Sequence, residues 1–400
     1  MISTLNDDCL IHIFNHLFDF EDLVNCFNVC IHWEELVKSR LSRVKYATII
    51  NTYDYQCLPI LENQSSTEIY WNSIYIYINH SERKNLLQYL GSYFLPKLRI
   101  IDLQSMIIDE NFSKSIVFSE FSKFLSTSKT IKGLIEPFYY ESNFSKFCPN
   151  IEMLVTCRLE LTNIDPVNGP KLKQLRLFGY HSIFWENISN LINLESLYIS
   201  FVNFDHLKHF KSVRIGFPNL ITLIHTYWDD KNYVAFNLID NCPKLRSVYL
   251  FYTRSGLIEI NDQIENLSIK DFVFEFAVKS YSLNWNWNLF NLILTKYRNI
   301  EHLAIRGNNQ LADLHVPLIV QLLPNLVLLD MRDSPLITSS SKQFIDSFNL
   351  LTKRSISFLF GQNKHFDFDP NNLNLIDIGP DFMRTHFFKH ISQLPYLIDQ

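Results

Sequence analysis

Two histidines and two cysteines near the start of the chain are the first residues whose types and spacing could carry chemistry. His12 and His16 stand one helical turn apart, and Cys26 and Cys30 repeat that spacing, a nominal two-His, two-Cys set for zinc. The two histidines flank an apolar stripe and do not lie along it, and no CxxC pair accompanies them, so the expectation is no metal and no other cofactor. A second candidate, Trp228-Asp229-Asp230, offers two carboxylates, but adjacent acids point different ways and no partner base is evident, so a solvated turn is expected. The nine glycines (Gly91, Gly133, Gly169, Gly179, Gly216, Gly256, Gly307, Gly361 and Gly379) never come closer than ten residues to one another. That spacing removes GxGxxG, the phosphate-cradling GxxxxGK loop and the GxSxG elbow together. HExxH and HRD are also missing, and the sequence therefore predicts binding surfaces, not an enzyme.

Composition narrows the partners. With 400 residues, 47% hydrophobic and 19% charged, the chain has apolar material for a large folded unit or two modest ones. A net charge of -5 supplies no surplus of cations for a phosphate backbone, which argues against nucleic acid. Seven scattered cysteines fit a reducing cytosol or nucleus. The acidic N-terminus has no secretory h-region, and no apolar run approaches membrane-spanning length, so neither secretion nor a membrane partner is expected.

The elements that would position a binding surface can be read from periodicity. Leu10, Ile13, Phe14 and Leu17 fall at i, i+3, i+4 and i+7, one stripe of a helix. Asn6 can cap that helix, Asp7 and Asp8 suit its first turn, and Leu5 can staple onto Leu10. Asp19 reads as a second cap, and Val29, Trp33, Leu36, Val37 and Leu41 suggest a third helix. Three helices in about forty residues have too little interior to cover so many apolar groups, so something else must cover the rest.

The succession Leu5, Leu10, Ile13-Phe14, Leu17, Asp22-Leu23, Val29-Cys30, Trp33, Leu36 resembles the F-box. The resemblance implies docking onto a Skp-family adaptor, and through it cullin and RING subunits, by Leu5, Leu10, Ile13, Phe14, Leu17, Leu23, Val29, Cys30 and Trp33, with Cys30 a buried cysteine. That family usually has Leu-Pro where this chain has Leu5-Asn6. Without the proline the contact is less preorganised, which implies weaker docking than the family norm.

From residue 44 one phrase recurs: an apolar residue, often Pro, then Asn or Lys, then Leu-x-x-Leu-x-Leu. It appears at Leu95-Pro96-Lys97-Leu98, Cys148-Pro149-Asn150-Ile151, Phe217-Pro218-Asn219-Leu220, Cys242-Pro243-Lys244-Leu245 and Leu323-Pro324-Asn325-Leu326. Adjoining units at Leu172, Leu194, Leu220, Leu245 and then Ile300 and Leu326 are spaced as leucine-rich repeats are. Degenerate units fill the gaps at Ile131/Leu134 and Ile264/Leu267/Ile269, and weaker ones fall at Val44/Ala47/Ile49, Trp71/Ile74/Ile76 and Leu373/Ile376/Ile378. Each Leu-x-Leu is a short strand that buries its inner face only against stacked neighbours, with helices such as 285–296 outside.

The expected fold is therefore α/β: a three-helix F-box over 1–43, then an irregular leucine-rich-repeat solenoid over 44–400, a horseshoe with a parallel concave sheet. Only Asn308 supplies the asparagine that repeats of this family carry after the strand; Met106, Tyr180 and Val202 stand there elsewhere. Outward positions include Asp102, Val155, Arg176, Tyr198, Ile224, Tyr249, Ser268, Ala304 and Asp330, then Phe178, Thr226, Phe251, Lys270, Arg306 and Arg332. Arg176, Phe178, Tyr198, Tyr249, Phe251 and Arg306 form the expected protein-binding patch on the concave face, being of the types that dominate interfaces. The whole chain resembles the F-box leucine-rich-repeat family, which implies a substrate-recruiting subunit of an SCF-type cullin-RING ubiquitin ligase. The rival expectation is a repeat scaffold that binds protein without ubiquitin transfer.

Overall fold

Asn6 and Asp19 act as the caps their positions suggest. In the computed structural model, which describes residues 5–51, 73–78, 95–103, 116–137, 144–157, 159–178, 182–201, 216–227, 235–252, 258, 260–261, 265–276 and 285–361, the Asn6 side chain accepts the Cys9 N–H at 2.9 Å and opens α1 (Asp7–Asn15). Asp19 accepts the Glu21 N–H at 2.9 Å and opens α2 (Phe20–Phe27). The third helix, α3 (Ile31–Leu41), starts two residues later than expected, leaving Val29 and Cys30 ahead of it. Leu10, Phe14, Phe20, Leu23, Val37 and Leu41 are buried, and Arg43 ties the C-terminal ends of α1 and α3 by donating to the Asn15 side chain at 3.1 Å.

The chain divides into two units between Asn163 and Ile164, so the helical hook belongs with the first strands. In the first unit β1 (Tyr46–Asn51), β2 (Ser73–Ile78), β3 (Ile100–Asp102), β4 (Gly133–Ile135) and β5 (Met153–Thr156) are all parallel. Their order is β2-β1-β3-β4-β5, so β2 flanks β1 on the outside and does not fall between β1 and β3 as simple stacking would place it. Ala47, Ile49, Ile74, Ile76, Ile101, Leu134 and Leu154 are buried. The helix α4 (Ile116–Thr127) returns the chain from β3 to β4 and buries Phe121 and Leu125.

In the second unit β6 (Gln174–Phe178), β7 (Ser196–Phe201), β8 (Thr222–Tyr227), β9 (Ser247–Tyr252), β10 (Asp271–Phe276), β11 (His302–Arg306), β12 (Leu328–Asp330) and β13 (Ser357–Leu359) form a parallel sheet in chain order. Leu175, Leu197, Leu223, Val248, Phe272, Leu303, Leu329 and Phe358 lie in one register row, all buried. This row is the second leucine of the recurring phrase. Neither unit's sheet closes on itself. The helices α5 (Ala235–Asp240), α6 (Trp287–Lys296), α7 (Val316–Leu322) and α8 (Ser339–Thr352) lie on the return paths between strands. Trp285 is buried just before α6, its ring 4.4 Å from that of Tyr252, 5.2 Å from Phe276 and 5.4 Å from both Phe274 and Phe290. Lys296 and Asp240 form a buried ion pair at 2.6 Å that links α6 to α5.

The degenerate unit predicted at Ile264/Leu267/Ile269 is corrected by the register. The phrase there is Ile269-x-x-Phe272-x-Phe274, with phenylalanines at the leucine positions, and Leu267 is exposed. Val273 and Glu275, not Ser268 and Lys270, therefore stand in line with Tyr249 and Phe251. The unit proposed at Leu373/Ile376/Ile378 lies outside the described residues, as do Trp71, Met106, Tyr180 and Val202.

Asparagines ahead of the strands stitch neighbouring units together, which explains why the phrase carries them. Asn193 donates to the Pro170 carbonyl at 2.8 Å, Asn219 to Ile192 at 2.7 Å and Asn299 to Leu267 at 2.9 Å; Lys244, at the same place in its unit, donates to the Asn219 side chain at 2.7 Å. Asn308 accepts the N–H groups of Gln310 and Leu311, each at 2.9 Å, the backbone-capping role its position implied. Buried Asn266 makes the densest of these contacts. Its amide donates to the Ile239 and Cys242 carbonyls at 3.0 and 3.1 Å while its oxygen accepts from the Ser268 N–H and hydroxyl. Asn266→Ala strips partners from buried carbonyls and is expected to cost about 1–3 kcal/mol, measured by urea denaturation of the full chain.

Candidate functional site

The hook turns part of its apolar stripe outward. Leu5 is 38% exposed, Ile13 44%, Val29 60% and Ile31 77%. An Asp7–His32 contact at 3.0 Å joins the N-terminal ends of α1 and α3, next to Ile31. Trp33 and Leu17 are half-buried, and the Trp33 ring meets Phe14 edge-on at 5.2 Å between centroids.

Two corrections follow for the expected docking set. Leu10, Phe14 and Leu23 are buried within the unit, so they hold the hook together and present nothing to a partner. Cys30 is exposed, because the late start of α3 leaves it at the N-cap, outside the helix. The histidines also turn to each other: His16 Nδ1 lies 2.8 Å from the His12 carbonyl oxygen and the rings are 4.5 Å apart. Among the described residues, no three His, Cys, Asp or Glu side chains group as metal ligands do.

On the sheet of the second unit, Arg176, Tyr198, Ile224, Tyr249, Val273, Ala304 and Asp330 form one register row, and Phe178, Thr226, Phe251, Glu275 and Arg306 the next. The expected patch is thus brought together, but it is not an open surface. Arg176, Tyr198, Tyr249, Phe251 and Arg306 are buried and Phe178 is half-buried. The Arg176 guanidinium sits between two rings, 4.3 Å from Phe178 and 4.4 Å from Tyr198, which compensates part of its desolvation.

At the other end of these rows Arg306 bridges two carboxylates, donating to Asp330 at 2.8 Å and Glu275 at 3.2 Å. Arg332 adds two bonds to Asp330, at 3.0 and 2.9 Å, and the Tyr249 hydroxyl donates to Glu275 at 3.1 Å. Two cations balance two anions, which is how these groups tolerate burial. Asp330 is held below the ordinary carboxylate range because its two guanidinium partners outweigh its desolvation. Glu275 is pushed up by burial, since it shares Arg306 with Asp330 and gains too little from it.

Beside this network the Ser247 hydroxyl donates to Asp271, whose other oxygen lies 2.8 Å from His302 Nδ1. The carboxylate is the middle member, so Ser247 faces an acid where a hydrolytic triad would place the imidazole. His225 belongs to the leucine side of the sheet, in register with Ile199 and Leu250, and burial pushes its pKa down to about 3, keeping the ring neutral. Trp228-Asp229-Asp230 lies outside the described residues. Sequence reasoning passed over Glu275, Asp271 and His302: the first two were hidden by the misplaced register around Ser268, and His302 precedes the strand positions taken as outward.

The class these observations define is an α/β chain of recurring parallel strands preceded by a three-helix hook with an exposed apolar edge. No protein-family model matches the chain, and no curated protein matches it. Among the described residues no helix is long and apolar enough to cross a membrane.

Proposed function

We propose that this chain recruits a target protein to a cullin-RING ubiquitin ligase of the SCF type, as a non-catalytic F-box leucine-rich-repeat subunit of the cytosol or nucleus. The observation that carries the proposal is the pairing of a capped three-helix hook, whose Ile13, Val29 and Ile31 stand exposed, with parallel strands whose starts recur every 22 to 31 residues from Gln174 to Ser357. Ile13, Val29 and Ile31 are the aliphatic groups of the hook that a docked partner would cover. The repeats supply the target-binding surface. With Arg176, Tyr249 and Arg306 closed off, the half-exposed Phe178, Ile224, His302 and Arg332 on the same sheet face are the contact positions.

The test is calorimetric titration of the full chain with a purified Skp-family adaptor, beside an Ile13→Asp/Ile31→Asp variant. Both positions are exposed, so the variant keeps its fold, which circular dichroism checks. Each anchor is expected to contribute about 2 kcal/mol, and the double variant should lose adaptor binding altogether. A folded wild-type chain that does not bind the adaptor would sink the proposal and leave a repeat scaffold acting without ubiquitin transfer.

A further inference from the structure

The charge of this protein is concentrated in its hook. The hook, residues 1–43, carries seven carboxylates (Asp7, Asp8, Asp19, Glu21, Asp22, Glu34 and Glu35) against three cations (Lys38, Arg40 and Arg43) gathered at its C-terminal end, a net of -4 where all 400 residues carry -5. The first cation, Lys38, is occupied by Glu34 at 2.5 Å and lies over the Phe27 ring. Asp7, Asp8 and Glu35 are exposed. Asp7 touches His32, next to Ile31, and Glu35 follows Ile31 by one helical turn, so these two acids border the exposed Ile31.

Resting on the adaptor proposal, we infer that the hook docks into an apolar groove bordered by Lys and Arg side chains on its protein partner. The aliphatic centre supplies affinity and the acidic border supplies steering and register. An acidic border also repels the other occupants an apolar edge could attract: an anionic lipid surface and a nucleic acid are both disfavoured by the hook's net charge of -4. Exposed charges are screened over about 8 Å at physiological ionic strength, so the effect belongs to acids that border the contact and shows in the association rate.

The experiment is surface plasmon resonance of the full chain against a purified Skp-family adaptor at 50 and 500 mM NaCl, with an Asp8→Asn/Glu35→Lys variant and an Asp346→Lys control. Asp346 is exposed on α8, in the second unit, so the control changes net charge without touching the hook. The expected result is an association rate that falls about tenfold with salt and about fivefold in the hook variant, with the dissociation rate and the control nearly unchanged. Binding that is indifferent to salt, with the hook variant matching wild type, overturns the charged border while leaving adaptor docking intact. Absence of wild-type binding at either salt concentration removes the adaptor proposal and this inference with it.

Discussion

Arg306→Met is expected to destabilise the second unit by about 3–5 kcal/mol, the usual consequence of removing one partner from a buried charge network. Arg306 is the only cation in contact with Glu275 among the described residues, so the substitution strands that carboxylate beside Asp330. The loss is pH-dependent, with a definite sign. The Glu275 pKa is already raised above 4.5 by burial, and losing Arg306 raises it further. A group with a raised folded-state pKa favours the fold below its unfolded value and loses that contribution as pH rises through the folded one. The gap between variant and wild type therefore widens from pH 4 to pH 8. Urea denaturation followed by tryptophan fluorescence reports it, since Trp285 packs against Phe274 and Phe276, the neighbours of Glu275 in β10. An Arg306→Met/Glu275→Leu variant is expected to recover most of the stability, because Asp330 keeps Arg332. A loss below about 1 kcal/mol in Arg306→Met at pH 8 would show that the network is solvated and contradict its burial.

What the sequence made legible follows from which interactions are local. Caps depend on residues two or three positions apart, and Asn6 and Asp19 could be read directly. The leucine rows were legible wherever leucine or isoleucine fills them; Leu172, Leu194, Leu220, Leu245 and Ile300 are all fully buried. They were lost where Phe272 and Phe274 replace leucine, and one misplaced register hid both Glu275 and Asp271. Which way a stripe faces is a tertiary matter. Leu10, Ile13 and Phe14 lie on one helical stripe, yet only Leu10 and Phe14 turn inward. The closure of the sheet face was illegible for the same reason: alternation tells which side a residue takes, while Arg306 meets Glu275 and Asp330 only through pairing with strands 31 and 24 positions away. The placement of β2 outside β1 depends on non-local pairing that no phrase in the sequence encodes.

Glu136 carries the other large effect, and nothing in its sequence context marks it. It follows β4 directly, donates its N–H to the Val155 carbonyl at 2.9 Å and accepts the Ser145 N–H on its side chain at 2.7 Å. Burial pushes its pKa up to about 7, against the opposing hydrogen bonds from Thr156, Ser145 and Phe144. The neighbouring Cys148 thiol is pushed up to about 12 by its own burial and by this carboxylate, so it stays protonated and adds no second charge. Relative to an ordinary glutamate at 4.5, folding favours the protonated form; the contribution is complete below pH 4.5 and is lost as pH rises through about 7. That difference corresponds to about 3 kcal/mol. Glu136→Gln keeps an acceptor for the Ser145 N–H and removes the charge, so it is expected to leave stability nearly unchanged at pH 4 and to raise it by up to about 3 kcal/mol at pH 8. Hydrogen exchange of peptides covering 133–156, corrected for intrinsic rate at each pH, measures this within the first unit. Equal protection of wild type and variant at pH 8 would mean that Glu136 ionises freely and that the short helical turn Ser145–Phe147 does not depend on its protonation.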